Sequence, residues 1–377
     1  MGNDSVIYIR TDGNSKIATG HFVRCLCIAQ ALEEMGKKVC FLVSDHTSFE
    51  LLKDLCNTVF DGVSFSFDTR ILESAVFDNL DLEIDELCSF LGDRKHLFDD
   101  TVSSTKITSK GSNTKPIILV DSYYVTEAYF QSLNQVASVA YMDDLRSFDY
   151  DVDLVINYDV IPPSKEEEYK QAYTEAKTSL LGAAYTPLRE QFQNQSVELR
   201  DQIQNILVTT GGSDPYKFTE TISSFLISEK FSVDIHIVVG RLFQNIETLE
   251  ALSIKYPQVH LHQNIKDMAS LMKQCDFAIS AAGTTLYELC ALGIPTISFT
   301  FADNQMIMAE TFHETGAIPY MGDLRESSSI CDKIYHHLVN IINHPNLLQS
   351  QQQKMQYIVD GNGSIKIAEA LINLSVN

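Results

Sequence analysis

The sequence predicts an α/β protein of two domains, each built on a parallel sheet covered by helices. Short apolar runs of strand type alternate with amphipathic helical patterns through both halves of the chain, and this alternation is typical of parallel sheets. The 377 residues are enough for two domains that each bury a core. We therefore expect Rossmann-like domains at residues 1–185 and 195–377, with their sheets facing a central cleft.

The first half begins this alternation of strands and helices. Its clearest helix runs from His21 to Met35 and is stopped by Gly36, because glycine is favoured just after a helix. A strongly charged helix is predicted from Ser164 to Lys177. The runs interpreted as strands are Val6 to Ile9, Val39 to Val43, Ile117 to Val120, Val139 to Met142 and Leu154 to Ile156.

The second half repeats the pattern after a linker from Leu180 to Phe192. In open α/β sheets, ligands bind beyond the carboxyl ends of the strands. Polar motifs that directly follow a strand are therefore the candidate sites. The runs interpreted as strands are Ile206 to Thr210, Val233 to Val239, Val259 to Leu261, Phe277 to Ser280 and Thr296 to Phe299.

One region breaks the alternation. Between Asp61 and Lys115 the pattern is erratic, and Thr101 to Thr114 is polar with few apolar residues. Such composition favours an exposed loop or an insertion.

Composition and charge exclude several classes of function. The 28 basic and 50 acidic residues give 28 − 50 = −22, which argues against a surface for nucleic acid or anionic membrane. The start of the chain lacks the features of a signal peptide, and no apolar run is long enough for a membrane span. We expect a cytoplasmic protein that is a monomer or a weak dimer, with its eight scattered cysteines reduced.

The most informative motif is a turn of small residues that leads into a helix. Ala281 to Thr285 follows a strand, and a ligand can approach the backbone closely at Gly283 and Thr284. The N–H groups and dipole of the following helix favour an anion such as a diphosphate. Glu288 lies one helical turn further on, where its carboxylate could accept two ribose hydroxyls. A turn of this kind is by itself common in α/β proteins, so the prediction of a nucleotide-sugar site depends on the ordered set of motifs.

Two further polar clusters follow strands in the second half. Gly211, Gly212 and Ser213 come directly after one strand and would approach the same diphosphate. Asn304 and Gln305 lie at the start of a helix that follows the strand from Thr296 to Phe299, and they would hold the sugar or its phosphate. Together with the turn at Gly283, these clusters indicate a nucleotide-sugar site.

The first half contributes a candidate base. Arg10 and Asp12 follow the first strand, and a loop then leads to Gly20 and His21 at the start of the long helix. The helix dipole disfavours positive charge there, which keeps the imidazole available as a proton acceptor. Asp12 could orient the ring or bind a sugar hydroxyl, while Arg10 and Gly20 would contact substrate.

Other residues in the first half have weaker interpretations. Tyr123 follows the strand that ends near Asp121 and would form a wall of the sugar pocket. Arg24 could contact a phosphate or carboxylate, and a solvated helix arginine is an equal alternative. Asp143 and Asp144 could contact substrate or cap the next element.

We predict no metal and no cofactor. Asp151 and Asp153 form a DxD triplet of the kind that binds metal in some glycosyltransferases, but it stands where a strand begins. His260 and His262 alternate along a strand without a clear third ligand, which favours a structural pair.

These motifs resemble those of a known family. The small-residue turn with its downstream Glu288, the GGS turn and the polar pair resemble the C-terminal half of GT-B nucleotide-sugar enzymes of the MurG type. Over nearly the whole chain, the sequence resembles PseG-like UDP-sugar hydrolases and related spore-coat polysaccharide proteins. The matching segments are IRTDGNSKIATGHFVRCLCIA, VDSYYV, MDD, LLGAAYTPLREQF, ILVTTGGSDP, AAGTTLYELCALGIP, ADNQ and DGNGSIKIAEAL.

The resemblance implies a GT-B fold and hydrolysis of a UDP-linked 2,4-diacetamido-2,4,6-trideoxyhexose to UDP and free sugar, with His21 as the base. The segment from Asp61 to Lys115 is longer and more polar than the family pattern, which leaves the sugar open. Two alternatives remain. A metal-independent glycosyltransferase would use the same site with an acceptor hydroxyl instead of water, and a binding module would hold the UDP-sugar without turnover.

Overall fold

The computed structural model describes residues 6–14, 16–17, 19–59, 67–92, 115–200 and 202–375. These residues form two compact units. The first unit contains the chain up to Asp159, Glu166–Arg189, and the segment that begins at Gly363. The second unit contains Val160–Lys165 and Glu190–Asn362.

The first unit is built on a seven-stranded sheet in which every pairing is parallel. Its strands are β1 (Val6–Thr11), β2 (Lys38–Val43), β3 (Asp68–Ile71), β4 (Ile117–Asp121), β5 (Ser138–Met142), β6 (Leu154–Asn157) and β7 (Ser179–Leu181). Their order in the sheet is β3-β2-β1-β4-β5-β6-β7. Its helices are α1 (Gly20–Glu34), α2 (His46–Val59), α3 (Ile84–Gly92), α4 (Glu127–Val136), α5 (Glu166–Gln171) and, from the end of the chain, α13 (Gly363–Asn373).

Both faces of this sheet are buried. Successive side chains of a strand point to opposite faces, so Ile7 and Ile9 join one core with residues of α1, while Tyr8 joins another with residues of α4. Burial on both faces explains why the strands are continuous apolar runs. It also leaves the carboxyl edge of the sheet as the place for polar side chains.

The final helix packs on the first unit, which differs from the predicted division at residues 195–377. Ile367 and Leu371 of α13 are fully buried in the core that contains Leu26 and Leu32 of α1. At the start of α13, Ser364 donates a hydrogen bond to the carbonyl of Leu188. The apolar face of this helix completes a core whose other buried members lie more than 200 residues earlier in the chain.

The second unit is a six-stranded parallel sheet with the order β10-β9-β8-β11-β12-β13. The strands are β8 (Asn205–Thr209), β9 (Asp234–Val239), β10 (Val259–Gln263), β11 (Phe277–Ala281), β12 (Thr296–Thr300) and β13 (Tyr320–Asp323). The helices are α6 (Phe218–Ser228), α7 (Ile246–Lys255), α8 (Met268–Met272), α9 (Thr285–Leu292), α10 (Asp303–Glu314), α11 (Ile330–Asn343) and α12 (Asn346–Ile358).

The structure confirms the predicted α/β fold with two parallel sheets, and each apolar run interpreted as a strand is one. It adds β3, β7 and β13, which are short or partly exposed. The helix predicted from Ser164 to Lys177 is reduced to α5, after a 3₁₀ turn at Pro163–Lys165. The carboxylate of Asp149 accepts hydrogen bonds from the backbone N–H groups of Thr174 and Glu175, which fixes a turn there instead.

The region from Asp61 to Lys115 is only partly described. Residues 67–92 contain β3, a 3₁₀ turn at Leu80–Glu83 and α3. The predicted exposed loop at Thr101 to Thr114 lies outside the described residues. Across the described part of the chain, no helix has the length and apolar character that a membrane crossing requires.

Candidate active site

In the first sheet, the strand order reverses between β1 and β4. The chain proceeds from β1 outward to β3 on one side and from β4 outward to β7 on the other. Such a reversal leaves a crevice at the carboxyl ends of the two central strands, where α/β proteins bind ligands. Thr11 and Asp121, which end β1 and β4, are register partners at this point.

His21 lies at this reversal, as the second residue of α1. Its Nδ1 atom is 3.3 Å from Oδ1 of Asp121. The residue is 4% exposed, and neither ring nitrogen has a hydrogen-bond partner among the described residues. The ring of Tyr123 lies edge-on against the imidazole, with the centroids 4.5 Å apart and an angle of 87°. The imidazole is therefore enclosed beside a carboxylate and free to accept a new bond.

The carboxylate beside His21 is held by Arg24, which lies one turn further along α1. Nε of Arg24 donates to Oδ2 of Asp121 at 2.7 Å, and Nη2 donates to Oδ1. The remaining Nη1 donates to both oxygens of Asp144 and to the hydroxyl of Tyr158. The guanidinium is thus a clamp on two carboxylates of the chain itself, and the interpretation of Arg24 as a solvated side chain is wrong, because the residue is 7% exposed.

This clamp determines the charge state of the site. Burial is the largest single influence on Asp121 and opposes its ionisation, but the charge of Arg24, the neighbouring His21 and hydrogen bonds from Arg24 and Cys25 together outweigh it and lower the pKa of that carboxyl. Asp144 is shared between Arg24 and Tyr123. Burial and the negative charge of Asp144 raise the pKa of Tyr123 to about 12, so its phenol stays protonated.

Arg10 and Asp12 do not occupy the places expected for them. Arg10 is within β1, is 1% exposed, and its guanidinium is bound by Glu83 at 2.7 Å and by Asp12 at 2.6 Å. The other oxygen of Asp12 accepts from the backbone and side chain of Ser44. The carboxylate beside His21 is Asp121, and Arg10 and Asp12 instead brace the strand ends.

The remaining predicted residues of the first unit differ in exposure. Gly20 is the first residue of α1, and a Cβ atom added there would meet nothing within 4 Å. Tyr123 is 40% exposed beside the buried His21. Asp143 is a structural residue, because it is 1% exposed and accepts hydrogen bonds from the hydroxyls of Tyr150 and Tyr173.

The second sheet has an equivalent reversal between β8 and β11. Gly211, Gly212 and Ser213 follow β8 at this edge, and the two glycines are exposed. Gly211 has a φ of +81°, which favours glycine, and a Cβ atom at either glycine would meet nothing within 4 Å. The backbone of this turn is therefore open to a ligand.

The turn at Gly211 and Gly212 is held by close packing and by backbone hydrogen bonds. Gly240, which follows β9, packs so closely that an added Cβ would lie 2.4 Å from the carbonyl oxygen of Gly211. The N–H of Leu242 donates to the carbonyl of Gly212 at 2.9 Å. Asp214 accepts from the N–H groups of Phe218 and Thr219, which caps α6. Only a glycine at position 240 allows this arrangement.

The small-residue turn follows the neighbouring strand β11. Thr284 precedes α9 without a side-chain cap, and a Cβ at Gly283 would meet nothing within 4 Å. The N–H groups of Leu286 and Tyr287 donate to the carbonyls of Gly283 and Thr284 at 2.9 and 3.1 Å, so an anion at this turn would meet the N–H groups that precede them. Glu288 is in the first turn of α9 and is partly buried.

Asn304 and Gln305 follow β12, the next strand in the sheet. Asn304 is exposed, whereas the side-chain oxygen of Gln305 accepts a hydrogen bond from the N–H of Phe301 at 2.9 Å. The three clusters predicted in the second half thus follow adjacent strands at one edge. The predicted site residues fall into two groups, one in each unit.

The weaker metal candidates are engaged in structural contacts. Asp153 accepts from the N–H of Val139 and pairs with Lys177. His260 pairs with Asp234 at 2.7 Å, and His262 lies 3.0 Å from His236, a residue that sequence reasoning missed. No group of three potential ligands suited to a metal ion is found within the ranges that the structure describes.

Solved structures share this fold. The chain is similar to MurG of Acinetobacter baumannii, with a TM-score of 0.64 and 15% identity over 98% of this chain and 99% of that chain. The fold is therefore of the GT-B type, as in that structure. Residues 188–360, which contain the three clusters of the second unit, match the glycosyltransferase family 28 C-terminal domain.

Two curated proteins share sequence with this chain. The spore coat polysaccharide biosynthesis protein SpsG of Bacillus subtilis is 29% identical over 54% of this chain and 61% of its own length. The pseudaminic acid cytidylyltransferase and UDP-2,4-diacetamido-2,4,6-trideoxy-beta-L-altropyranose hydrolase of Helicobacter pylori is 30% identical over 36% of this chain and 24% of its own length. The chain thus spans less than two thirds of the length of each relative.

Proposed function

We propose that this chain is an enzyme that hydrolyses a UDP-linked 2,4-diacetamido-2,4,6-trideoxyhexose of the pseudaminic acid pathway to UDP and the free sugar. The observation that carries the proposal is the unpartnered imidazole of His21 beside the ionised carboxylate of Asp121, 3.3 Å away. The name of the Helicobacter pylori relative supports the substrate class.

The proposed reaction needs a base and a place for a leaving diphosphate. The oxygen of a water molecule bonds to the anomeric carbon while the bond from that carbon to the UDP oxygen breaks. The bonding electrons leave with UDP, and His21 takes a proton from the water. Asp121 then stabilises the imidazolium that forms, since Arg24 keeps this carboxyl ionised.

The second unit would hold the nucleotide. Backbone N–H groups at Gly211, Gly212, Gly283 and Thr284 would meet the charge that grows on the diphosphate. Glu288 would accept the ribose hydroxyls, and Asn304 and Gln305 would contact the sugar or its phosphate. This division of roles explains why an acidic chain can bind an anion, because backbone dipoles supply the attraction locally.

The enclosure of His21 adds a requirement. Its ring nitrogens are covered, and the partly exposed ring of Tyr123 lies against it. Tyr123 must therefore shift when substrate binds, so that water reaches the imidazole. Before substrate arrives, the position of Tyr123 against the imidazole would keep bulk water away from His21.

A glycosyltransferase is the second candidate. The match of residues 188–360 to a glycosyltransferase domain and the similarity to the spore coat protein favour it. In that reaction His21 would deprotonate an acceptor hydroxyl instead of water. The nucleotide site would be the same.

Release of UDP from a panel of UDP-sugars, with and without acceptor sugars, tests the proposal. A hydrolase releases UDP in water alone, at a rate that acceptors do not raise. A transferase requires the acceptor, and a binding module binds the UDP-sugar without releasing UDP. Acceptor-dependent release, or the absence of any release together with tight binding, would overturn the hydrolase assignment.

A further inference from the structure

Residues 72–83, which follow β3, are anchored at the carboxyl edge of the first sheet. Glu83 is fully buried and binds the guanidinium of Arg10 through both of its oxygens, each at 2.7 Å. The hydroxyl of Tyr129 donates to Glu83 at 2.8 Å, and Thr126 donates to Asp81 at 2.6 Å. The segment is thus tied to both β1 and the start of α4.

This segment presents an aromatic side chain in a tight turn. The N–H of Asn79 donates to the carbonyl of Val76 at 2.9 Å, which leaves Phe77 and Asp78 at the tip. The ring of Phe77 packs edge-on against Tyr124, with the centroids 5.9 Å apart. Three separate loops meet here, because Lys16 of the loop before α1 lies 5.1 Å above the Phe77 ring.

The patch is continuous with the candidate base. Tyr123 and Tyr124 are 40% and 37% exposed and adjacent in the chain, and Tyr123 contacts His21 at 4.5 Å between ring centroids. These two exposed aromatic side chains adjoin the half-buried Phe77, and apolar groups that are clustered at a surface in this way mark binding sites. We call Phe77, Tyr123 and Tyr124 the aromatic wall.

The charges at the wall favour a neutral ligand group. Lys16 lies 3.8 Å from the carboxylate of Asp78, so the cation above Phe77 is balanced by an anion at the same tip. A diphosphate would gain little from such a pair, whereas the open backbone turns of the second unit suit it. Aromatic rings with a polar rim suit a ring-shaped ligand that has apolar faces and a few polar substituents.

We infer that the aromatic wall binds the glycosyl group of the UDP-sugar through the C–H face and the methyl-bearing substituents of the pyranose, next to His21. This inference rests on the proposed function and extends it. It gives residues 72–83 a role in selecting the sugar, while the nucleotide is held elsewhere.

Binding measurements separate the contribution of the sugar to the affinity for a UDP-sugar from the contribution of the nucleotide. Calorimetry would give the Kd of UDP-N-acetylglucosamine and of UDP for wild type, Phe77→Ala, Tyr124→Ala and Tyr124→Phe. We expect Phe77→Ala and Tyr124→Ala to weaken binding of the UDP-sugar about tenfold and to leave UDP binding unchanged. Tyr124→Phe, which keeps the ring, should match wild type. The control Ile254→Ala removes a side chain that is 84% exposed on α7 and should change neither Kd.

The possible outcomes distinguish this inference from the proposed function. If the alanine variants bind UDP-N-acetylglucosamine as tightly as wild type does, the wall does not hold the sugar. The same conclusion follows if their affinities for UDP and for the UDP-sugar fall by the same factor. If wild type binds the UDP-sugar but releases no UDP from any substrate, the proposed hydrolysis fails while the wall is still tested. A melting curve for each variant shows whether it is folded, and an unfolded Phe77→Ala is replaced by Phe77→Leu with the same expected result.

Discussion

Nδ1 of His21 lies 3.3 Å from Oδ1 of Asp121, although the two residues are a hundred positions apart in the chain. Parallel pairing of β1 with β4 brings them together, because Thr11 and Asp121 are register partners at the strand ends. Arg24 binds both oxygens of the same carboxylate. The imidazole therefore lacks a hydrogen bond, while the carboxylate beside it is fully engaged.

We predict that His21→Ala lowers kcat for UDP release by at least about 100-fold, because removal of a general base typically costs 10² to 10⁴. Binding of UDP, measured by calorimetry, should be unchanged, since the nucleotide is assigned to the second unit. His46→Ala is the matched control, because His46 begins α2 and its side chain is 76% exposed. Wild-type turnover in His21→Ala would exclude this imidazole as the base.

Gly283 offers a test of the nucleotide site that does not disturb the fold. A Cβ atom at this position would meet nothing within 4 Å, so Gly283→Val should melt within a few degrees of wild type. If UDP approaches this backbone, the added side chain should weaken its binding at least about tenfold, which is 1.4 kcal/mol.

Gly240→Ala is the comparison for Gly283→Val, because we expect it to change the stability of the protein as well as its affinity for UDP. Its Cβ would lie 2.4 Å from the carbonyl oxygen of Gly211, so this variant should lose stability and UDP affinity together. Unchanged UDP binding in a folded Gly283→Val would remove the α9 turn from the site.

The buried pair of Arg10 and Glu83 should make the first unit sensitive to the loss of either member. Removing one member of a buried pair leaves an uncompensated charge, which costs about 3–5 kcal/mol. We therefore expect Glu83→Ala to lower the free energy of unfolding in urea by that amount. The double variant Arg10→Met, Glu83→Met should recover only part of the loss, because it replaces the pair with apolar side chains but leaves the buried carboxylate of Asp12 without its cation.

An exposed pair is the control for this measurement. Lys177 and Asp153 are 2.6 Å apart, but the lysine side chain is 72% exposed. Lys177→Ala should cost no more than about 1 kcal/mol. An equal effect of Lys177→Ala and Glu83→Ala would show that the burial of Glu83 contributes nothing.

Local sequence patterns predicted the sheets and the position of His21 because both depend on local chemistry. Apolar runs buried on two faces identify the strands, and a helix start after a strand places His21 at the sheet edge. β3 was missed because Asp68–Ile71 is polar and mostly exposed at the sheet edge. The helix α13 was assigned to the wrong neighbour because nothing in its own sequence specifies which core its apolar face completes.

The partners of charged residues could not be predicted. Arg10 was expected at the site because it follows the strand predicted from Val6 to Ile9. Its guanidinium instead binds Glu83, which is 73 positions away in the chain and could not be identified as its partner from the sequence. Asp121 was recognised as the end of a strand and not as the neighbour of His21. A signal was present, because Arg24 and His21 lie on one turn of α1 and an arginine buried there requires a carboxylate.

Acid should destabilise the second unit through His236. Burial, together with the neighbouring His260 and His262, lowers the pKa of His236 from 6.5 to about 4. Between these values the unfolded chain binds a proton that the folded chain does not, so the free energy of unfolding falls as the pH falls. Asp234 and Asp276 oppose this shift but are outweighed.

We therefore expect His236→Asn to show a smaller decrease in the free energy of unfolding than wild type between pH 6.5 and pH 4. Urea denaturation monitored by circular dichroism at several pH values measures both slopes, and the two proteins are first compared at neutral pH to record the cost of the substitution itself. Asparagine retains an amide that can bond with Asn205 or His262, the partners of the imidazole. Parallel curves for the two proteins would mean that His236 binds its proton equally in the folded and unfolded chains.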